Sequence, residues 1–201
     1  MAVALIDYGA GNLRSAAKAL EAAGASDVLV TADPAAVLAA DRIVLPGVGA
    51  FGACAASLRA IPGMEEALNE AVRRRARPFL GICVGMQLMA SEGHEFGVHR
   101  GLGWIPGSVR RMTPKDLKIP QIGWNEVQPA SHGLVQAGWA YFVHSYAMRP
   151  ADPSHVSATA SYGEAITAAV QHETMLGTQF HPEKSQSYGL SLLASWLNWK
   201  P

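Results

Sequence analysis

The chain has 201 residues, 49% of them hydrophobic and 16% charged, and its 16 Lys and Arg residues balance 16 Asp and Glu residues. This length and composition predict one domain, residues 1–201, with a single core and little disorder. The balanced charge argues against a nucleic acid or a membrane as a partner, and the sequence contains no run of 18 apolar residues that would span a bilayer.

Two cysteines, Cys54 and Cys83, make up the whole thiol content of the chain. The first residues lack the charged segment and the long apolar segment of a secretory signal, so we expect a cytoplasmic protein. Disulfides are rare in that compartment, and we therefore expect both thiols to be free.

Short apolar runs alternate with helical periodicity in the first third of the chain. A helix is predicted over 13–20, with Asn12 as its N-cap and Gly24 just beyond its end. Strands interleaved with helices predict a mostly parallel sheet that is covered on both faces. The predicted strands are 3–7, 27–31, 41–46 and 78–82, and the further predicted helices are 53–60 and 63–76.

The second half has a different pattern, in which short β-rich runs are separated by proline and glycine. A closing helix is predicted over 187–199, where leucines recur on one face. The predicted fold class is therefore α/β, with a mostly parallel central sheet flanked by helices and an additional β-rich segment in the second half. The β-rich runs are 107–112, 122–127, 140–146, 165–170 and 175–179.

The segment Gly81-Ile82-Cys83-Val84-Gly85 stands where a predicted strand ends and helical sequence begins. It has the pattern of a nucleophile elbow with a thiol in place of the hydroxyl, and its glycines permit a tight turn. Such a turn holds Cys83 at a helix N-terminus, which favours the thiolate. It also leaves the Val84 N–H free to stabilise an oxyanion. The alternative is a small buried residue in a βα turn, and this pattern alone does not decide between them.

A base for the thiol is predicted in His181-Pro182-Glu183. The residue before a proline is extended, and in an extended chain residues i and i+2 point to the same side. Glu183 can therefore orient the imidazole of His181, which makes Cys83, His181 and Glu183 a candidate catalytic triad. Without the cysteine elbow, a surface His–Glu pair would be the simpler interpretation.

A glycine-rich loop, residues 46–52, follows the predicted strand 41–46. Its backbone at Gly47, Val48 and Gly49 is a candidate for a second oxyanion donor beside the Val84 N–H, although an ordinary flexible βα loop has the same composition. The segment 94–99, His-Glu-Phe-Gly-Val-His, has the wrong spacing for a zinc helix. We therefore expect no metal and no cofactor.

The motifs LGICVGMQLM and FHPEKS resemble those of the class I (triad) glutamine amidotransferases, and they place His181 98 positions after Cys83 (181 − 83). The segments IDYGAGNLRS, LPGVGAFG, GLGWIPGSV, PQIGWNEV and YFVHSY are similar to the glutaminase subunits of imidazole glycerol phosphate synthase within that family. Together the motifs extend over nearly the whole chain.

The resemblance implies that Cys83 attacks the carboxamide of glutamine and forms a glutamyl thioester, with His181 as acid and base and Glu183 holding the imidazole. Further residues are implied to contact the substrate or to line its pocket: Gln87, Gly47, His144, Ser145 and Tyr146. It places the oxyanion donors at the backbone of Val84, Val48 and Gly49.

The resemblance also implies a partner, a cyclase subunit of (β/α)₈ form that joins this chain in a heterodimer. The cyclase would use the ammonia to make imidazole glycerol phosphate and AICAR in histidine biosynthesis. Four residues match family positions near that interface: Asn12, Trp124, Asn125 and Lys184.

Three alternatives stay open at this point. The chain resembles the glutaminase subunits of other triad amidotransferases in its two catalytic motifs. A cysteine peptidase would use a similar triad but needs an open groove for an extended peptide. A non-catalytic binding subunit would keep only the fold, and such relatives typically lack the nucleophile or the base.

Overall fold

The structure, a computed structural model, describes residues 1–131 and 133–201. The helices are α1 (Leu13–Ala22), α2 (Pro34–Ala39), α3 (Phe51–Arg59), α4 (Met64–Leu68, continued by a π-helical segment over Asn69–Arg74), α5 (Val84–Gln87) and α6 (Gln186–Asn198). Single 3₁₀ turns lie at Pro153–His155 and Pro182–Lys184. The strands of the first half are β1 (Ala2–Ile6), β2 (Asp27–Thr31), β3 (Arg42–Leu45), β4 (Phe79–Ile82), β5 (Ala90–Gly93) and β6 (His99–Arg100). Those of the second half are β7 (Ile105–Arg111), β8 (Gln121–Pro129), β9 (Gly138–His144), β10 (Tyr146–Pro150), β11 (Val156–Ser161), β12 (Ala165–His172) and β13 (Met175–Thr178).

Within the described ranges, nine strands form one sheet in the order β2-β1-β3-β4-β13-β12-β11-β8-β9. The strands from β2 to β13 run parallel, and those from β13 to β9 run antiparallel. The predicted α/β architecture is confirmed, and the β-rich second half continues the central sheet, which makes the whole sheet mixed. A smaller sheet in the order β10-β7-β5-β6 lies beside it.

The parallel strands β1, β3, β4 and β13 form the centre of the core. Their side chains are almost completely buried, which explains why these segments read as continuous apolar runs. Helix α1 begins as predicted, because the Asn12 side chain accepts a hydrogen bond from the Ser15 N–H at 3.3 Å. None of the helices in the described ranges is long and apolar enough to cross a membrane.

The predicted strand 140–146 is in fact two strands that meet at Ser145. β9 pairs with β8 in the large sheet, whereas β10 pairs with β7 in the small one. The chain therefore leaves one sheet for the other at Ser145, beside His144 and Tyr146. Among the helices and strands of the described ranges, α2, β5, β6 and β11 were not predicted, and neither were the two 3₁₀ turns.

Candidate active site

Cys83 occupies the sharp turn between β4 and α5. Its backbone has φ 54° and ψ −109°, a strained conformation for a residue with a side chain. A Cβ atom at Gly85 would lie 1.8 Å from the Leu45 carbonyl oxygen, and one at Gly81 would lie 2.7 Å from the Gly85 carbonyl oxygen. Both glycines of the predicted elbow are therefore required by close backbone approaches.

The helix that begins at the elbow is a single turn, Val84–Gln87. So short a helix contributes little of the dipole that the sequence pattern led us to expect. Stabilisation of a Cys83 thiolate must therefore come mainly from neighbouring side chains. The thiol is 4% exposed and forms no disulfide.

The two halves of the candidate triad meet because β13 lies parallel to β4. Thr178 is in register with Ile82, and the Cys83 N–H donates to the Thr178 carbonyl at 2.7 Å. His181 follows in extended conformation, with Nδ1 2.8 Å from Glu183 Oε1. The predicted contact of these two side chains is observed, but the predicted extended chain is wrong beyond His181: a 3₁₀ turn over Pro182–Lys184 brings Glu183 beside the ring.

The His181 imidazole is held as a cation. Burial alone lowers its pKa, but the neighbouring Cys83 and the hydrogen-bonded Glu183 carboxylate together outweigh burial and raise the pKa to about 9. Because Nδ1 is occupied by Glu183, Nε2 is the ring nitrogen left to face the thiol. A protonated imidazole in this place can donate a proton to a leaving group.

The predicted oxyanion donors are not free in this conformation. The Val84 N–H donates to the Gly47 carbonyl across a long distance of 3.4 Å, so the expectation that it points freely into the site is wrong here. The N–H of a trans peptide points opposite to its C=O. The Val48 N–H, which shares a peptide with that carbonyl, is therefore turned away from Val84.

Two buried side chains, Tyr8 and Cys54, form hydrogen bonds to the backbone of the glycine-rich loop. The Tyr8 hydroxyl donates to the Pro46 carbonyl at 2.8 Å, and the Cys54 thiol donates to the Val48 carbonyl at 3.5 Å. These bonds fix the Pro46 and Val48 carbonyls, and the Gly47 carbonyl between them accepts from the Val84 N–H of the elbow. The loop thus has a defined conformation, not the flexible one that its glycines suggest.

The triad cysteine and histidine open into a pocket of about 380 Å³. Most of the residues predicted from the family resemblance line it, but Gly47 does not, because it is packed behind the wall against Tyr8 and Val84. A larger cavity of about 540 Å³ between β8–β9 and α6 is lined by none of the triad residues. Predicted residues that line the smaller pocket are Val48, Gly49, Cys83, Val84, Gln87, His144, Ser145, Tyr146, His181 and Lys184.

Glu95 also lines this pocket, although its sequence context does not mark it as a site residue. Its Oε2 accepts a hydrogen bond from the Phe51 N–H at 2.8 Å, and this bond fixes the carboxylate beside the glycine-rich loop. The pattern of segment 94–99 suggests only a comparison with zinc helices and does not indicate a carboxylate in this pocket. In the described ranges no group of three or more His, Cys, Asp and Glu side chains is arranged to hold a metal ion.

Gln179 was missed as well. It follows β13, is completely buried, and places its side-chain amide between Cys83 and Gln87. A polar side chain at the end of a buried apolar strand must find a partner, and that rule was the available signal.

His144 is buried and neutral. Burial is the largest influence and lowers its pKa to about 4; the nearby charge of His181 also lowers it, and the hydrogen bond from Nδ1 to the Tyr146 carbonyl at 2.9 Å acts in the opposite direction. Its Nε2 lies 3.0 Å from the Gln121 side-chain amide. His144 therefore supports the pocket wall and does not serve as a second base.

Two of the four predicted interface residues, Trp124 and Lys184, lie at the same ring, whereas the side chains of Asn125 and Asn12 lie elsewhere. Trp124 is 45% exposed and stacks edge-on against Tyr141, and the Lys184 ammonium lies 5.9 Å from the centre of the same ring. Asn125 is next to Trp124 in β8, so its side chain points to the opposite face and donates to the Ser161 carbonyl at 2.9 Å. Asn12 caps α1.

The chain is similar to known proteins both in sequence and in fold. The family model described as "Glutamine amidotransferase class-I" matches residues 4–197. Two solved structures share the fold at 18% identity: a "Crystal structure of glutamine amidotransferase" (TM-score 0.75, covering 96% of this chain and 99% of that one) and the "Structure of PurLQS from Thermotoga maritima" (TM-score 0.74, 98% and 97%).

Closer similarity is found to proteins named "Imidazole glycerol phosphate synthase subunit HisH". The one from Zymomonas mobilis is 57% identical over 99% of this chain and 96% of its own length. The one from Rhodospirillum rubrum is 56% identical over the full length of both chains. With a cysteine elbow, a buried His–Glu pair and this similarity over its length, the chain belongs to the class I glutamine amidotransferase family, in the group of imidazole glycerol phosphate synthase subunits HisH.

Proposed function

We propose that this chain hydrolyses L-glutamine to glutamate and ammonia and passes the ammonia to the cyclase subunit of an imidazole glycerol phosphate synthase in histidine biosynthesis. The observation that carries the proposal is the meeting of Cys83 with the buried His181–Glu183 pair at one pocket. The names of the HisH relatives supply the synthase to which the ammonia would go.

The reaction begins with attack of the Cys83 thiolate on the carboxamide carbon of glutamine. The C–N bond breaks as the His181 imidazolium gives its proton to the leaving nitrogen, which departs as ammonia. The neutral imidazole then takes a proton from water while the water oxygen attacks the thioester carbon. The C–S bond breaks, glutamate leaves, and the thiolate and imidazolium are restored.

Charges in the pocket favour a free amino acid as the substrate. Glu95 contributes a carboxylate and Lys184 an ammonium group to its wall. These two charges complement the ammonium and carboxylate groups of a zwitterionic amino acid, whereas an internal residue of a peptide has neither. We assign the substrate ammonium to Glu95 and the substrate carboxylate to Lys184.

The observed conformation of the glycine-rich loop, residues 46–52, corresponds to a resting state in which the oxyanion site is not formed. While the Gly47 carbonyl faces the Val84 N–H at 3.4 Å, an oxyanion would meet a carbonyl oxygen where it needs a donor. Rotation of the Gly47–Val48 peptide would exchange that carbonyl for the Val48 N–H. We therefore expect low activity in the isolated chain and a higher rate when the cyclase binds its nucleotide.

The cyclase, of (β/α)₈ form, is proposed to form a heterodimer with this chain through the exposed face of β8 and β9. Ile122, Trp124 and Trp139 are 61%, 45% and 58% exposed there. Exposed aromatic side chains of this kind mark protein interfaces. Lys184, which lines the pocket, contacts Tyr141 at the edge of this face, so ammonia has a short way to the partner.

The proposal is tested by measuring glutamate and ammonia release by the wild type and Cys83→Ala, each with and without the cyclase and its nucleotide. We expect slow turnover by the isolated wild type, a large increase in the liganded complex, and none above background with Cys83→Ala. A diazo-ketone analogue of glutamine should label Cys83 and not the buried Cys54, and the adduct can be located by peptide mapping.

Each other outcome identifies a different function. Glutamine hydrolysis that the cyclase does not stimulate would indicate the glutaminase of another synthase. Cleavage of casein in place of glutamine would indicate a peptidase, and the absence of both turnover and labelling would indicate a binding subunit. Equal rates for the isolated chain and the liganded complex would contradict the proposed resting state.

A further inference from the structure

A chain of two side-chain amides connects the pocket wall to the nucleophile. Gln87 Nε2 lies 3.0 Å from the Tyr146 carbonyl oxygen and 3.0 Å from Gln179 Oε1. Gln179 Nε2 lies 3.7 Å from Cys83 Sγ, within hydrogen-bonding distance for sulfur. Gln87 is 3% exposed and Gln179 is fully buried, so water does not compete for these groups.

The donor and the acceptor of each hydrogen bond in this series follow from the bond between Gln87 and the Tyr146 carbonyl. A backbone carbonyl can only accept, so Gln87 must present its NH₂ group to Tyr146. The atom of Gln179 that faces the same NH₂ group must be an acceptor, which is its carbonyl oxygen. The NH₂ group of Gln179 is then left to point at the sulfur of Cys83.

We propose that Gln179 is a positioning residue for the nucleophile, and the proposal rests on the glutaminase function proposed above. Its N–H donates to the Cys83 sulfur, stabilises the thiolate and holds the sulfur in one rotamer on the side of the pocket. A hydrogen bond to a charged group is stronger than one to a neutral group. The bond therefore favours the thiolate over the thiol and weakens once the sulfur becomes a neutral thioester.

The hydrogen bonds of Gln87 also limit how this residue can bind a substrate. Both hydrogens of its NH₂ group are engaged by protein acceptors, Tyr146 and Gln179. Gln87 can therefore offer only its carbonyl oxygen to a substrate, and it must accept a hydrogen bond from the substrate's N–H groups. The family resemblance suggested a contact by Gln87 but not its direction.

Three full-length variants test the role of Gln179. Gln179→Met keeps the length of the side chain and removes the donor. Gln179→Glu keeps an acceptor for Gln87 but places a negative charge beside the sulfur. Gln171→Met is the matched control, because Gln171 lies in the neighbouring strand β12 and its amide oxygen accepts from the Leu134 N–H at 2.9 Å, away from the pocket.

The first measurement is the rate of Cys83 alkylation by iodoacetamide between pH 5 and pH 10, with peptide mapping to exclude Cys54. We expect the midpoint of this profile to move upward by about one pH unit in Gln179→Met and further in Gln179→Glu. The second is glutamine turnover in the liganded complex, where kcat should fall about tenfold in Gln179→Met with KM within about twofold of the wild type. Gln171→Met should match the wild type in both.

An unchanged alkylation midpoint in Gln179→Met, or a raised KM with an unchanged kcat, would overturn the role of Gln179. If Gln179→Met does not fold, the test rests on Gln179→Glu. An alkylation midpoint of Gln179→Glu equal to that of the wild type would contradict donation of the Gln179 N–H to the sulfur. A wild type that neither turns over glutamine nor reacts with the glutamine analogue would instead overturn the proposed function, and the role of Gln179 with it.

Discussion

His181 Nδ1 lies 2.8 Å from Glu183 Oε1, in an ion pair whose side chains are 2% and 5% exposed. The carboxylate both fixes the ring and compensates the charge of a buried imidazolium. The two residues are only two positions apart, with His181 extended and Glu183 in the 3₁₀ turn that follows it, so the pair depends little on distant packing. Its effect on the chemistry can therefore be tested by a single isosteric change.

Glu183→Gln should lower kcat by about 100-fold or more, because the imidazolium loses its negative partner. His181 acts as an acid only while protonated, so the alkaline limb of the pH–rate profile should lie near pH 9 in the wild type. Loss of the Glu183 charge lowers the pKa of His181, and this limb should move to lower pH in the variant. An alkaline limb at the same pH in both proteins would contradict the assignment of Glu183 as orienting group.

His144 should make the folded state sensitive to acid. Its pKa is about 4 when folded, against an ordinary value of 6.5, so the unfolded chain binds more protons between these two pH values. The contribution of His144 is fully present above pH 6.5 and is lost as the pH falls toward 4, by roughly 3 kcal/mol in total.

The matching experiment compares urea unfolding of the wild type and His144→Gln at pH 7 and pH 4.5. The glutamine side chain does not titrate, so the free energy of unfolding should fall less in the variant than in the wild type between the two pH values. Equal losses in the two proteins would show that His144 is not the group responsible.

Gly47→Ala should abolish glutamine hydrolysis and destabilise the fold by about 1–3 kcal/mol. A Cβ atom at this position would lie 2.6 Å from the Tyr8 hydroxyl, 2.9 Å from the Gly85 backbone nitrogen and 2.9 Å from Val84 Cβ. Adding Tyr8→Phe should restore part of the stability but little of the activity, since the contacts with the elbow backbone remain. Thermal unfolding and turnover of the single and double variants check this, and a fully active Gly47→Ala would show that the loop moves aside easily.

Trp124→Ala should weaken cyclase binding by about tenfold or more and change the free energy of unfolding by less than about 1 kcal/mol. The matched control is Leu29→Ala, which removes a side chain that is 50% exposed on β2, at the opposite edge of the sheet. Isothermal titration with the cyclase gives both affinities. Equal weakening by the two changes, or none by Trp124→Ala, would contradict the proposed docking face.

The parts of the site that follow from local chemistry could be predicted from the sequence. Gly81 and Gly85 mark a turn that no larger residue fits, and Pro182 holds His181 extended and opens the 3₁₀ turn that brings Glu183 beside it. Helix α2 carried an equally local signal that was overlooked, since Asp33 caps it and Pro34 opens it.

The remaining features depend on tertiary contacts that local patterns do not contain. Gln179 faces Cys83 because β13 pairs with β4. The packing of the whole sheet determines this pairing, and no local sequence pattern encodes it. The direction of the Gly47 carbonyl depends on Tyr8 and Cys54, which reach the loop from two other elements. Glu95 was missed because its carboxylate is positioned by the distant Phe51 N–H.

Strand β13, which ends just before the base, is the thirteenth and last strand along the described chain, yet it lies in the middle of the sheet between β4 and β12. During synthesis Cys83 therefore emerges from the ribosome long before Gln179, His181 and Glu183. A nascent chain that stops short of Met175 holds a cysteine without its imidazole, its carboxylate or the amide of Gln179. Translation order thus leaves the nucleophile without its base until β13 inserts between β4 and β12.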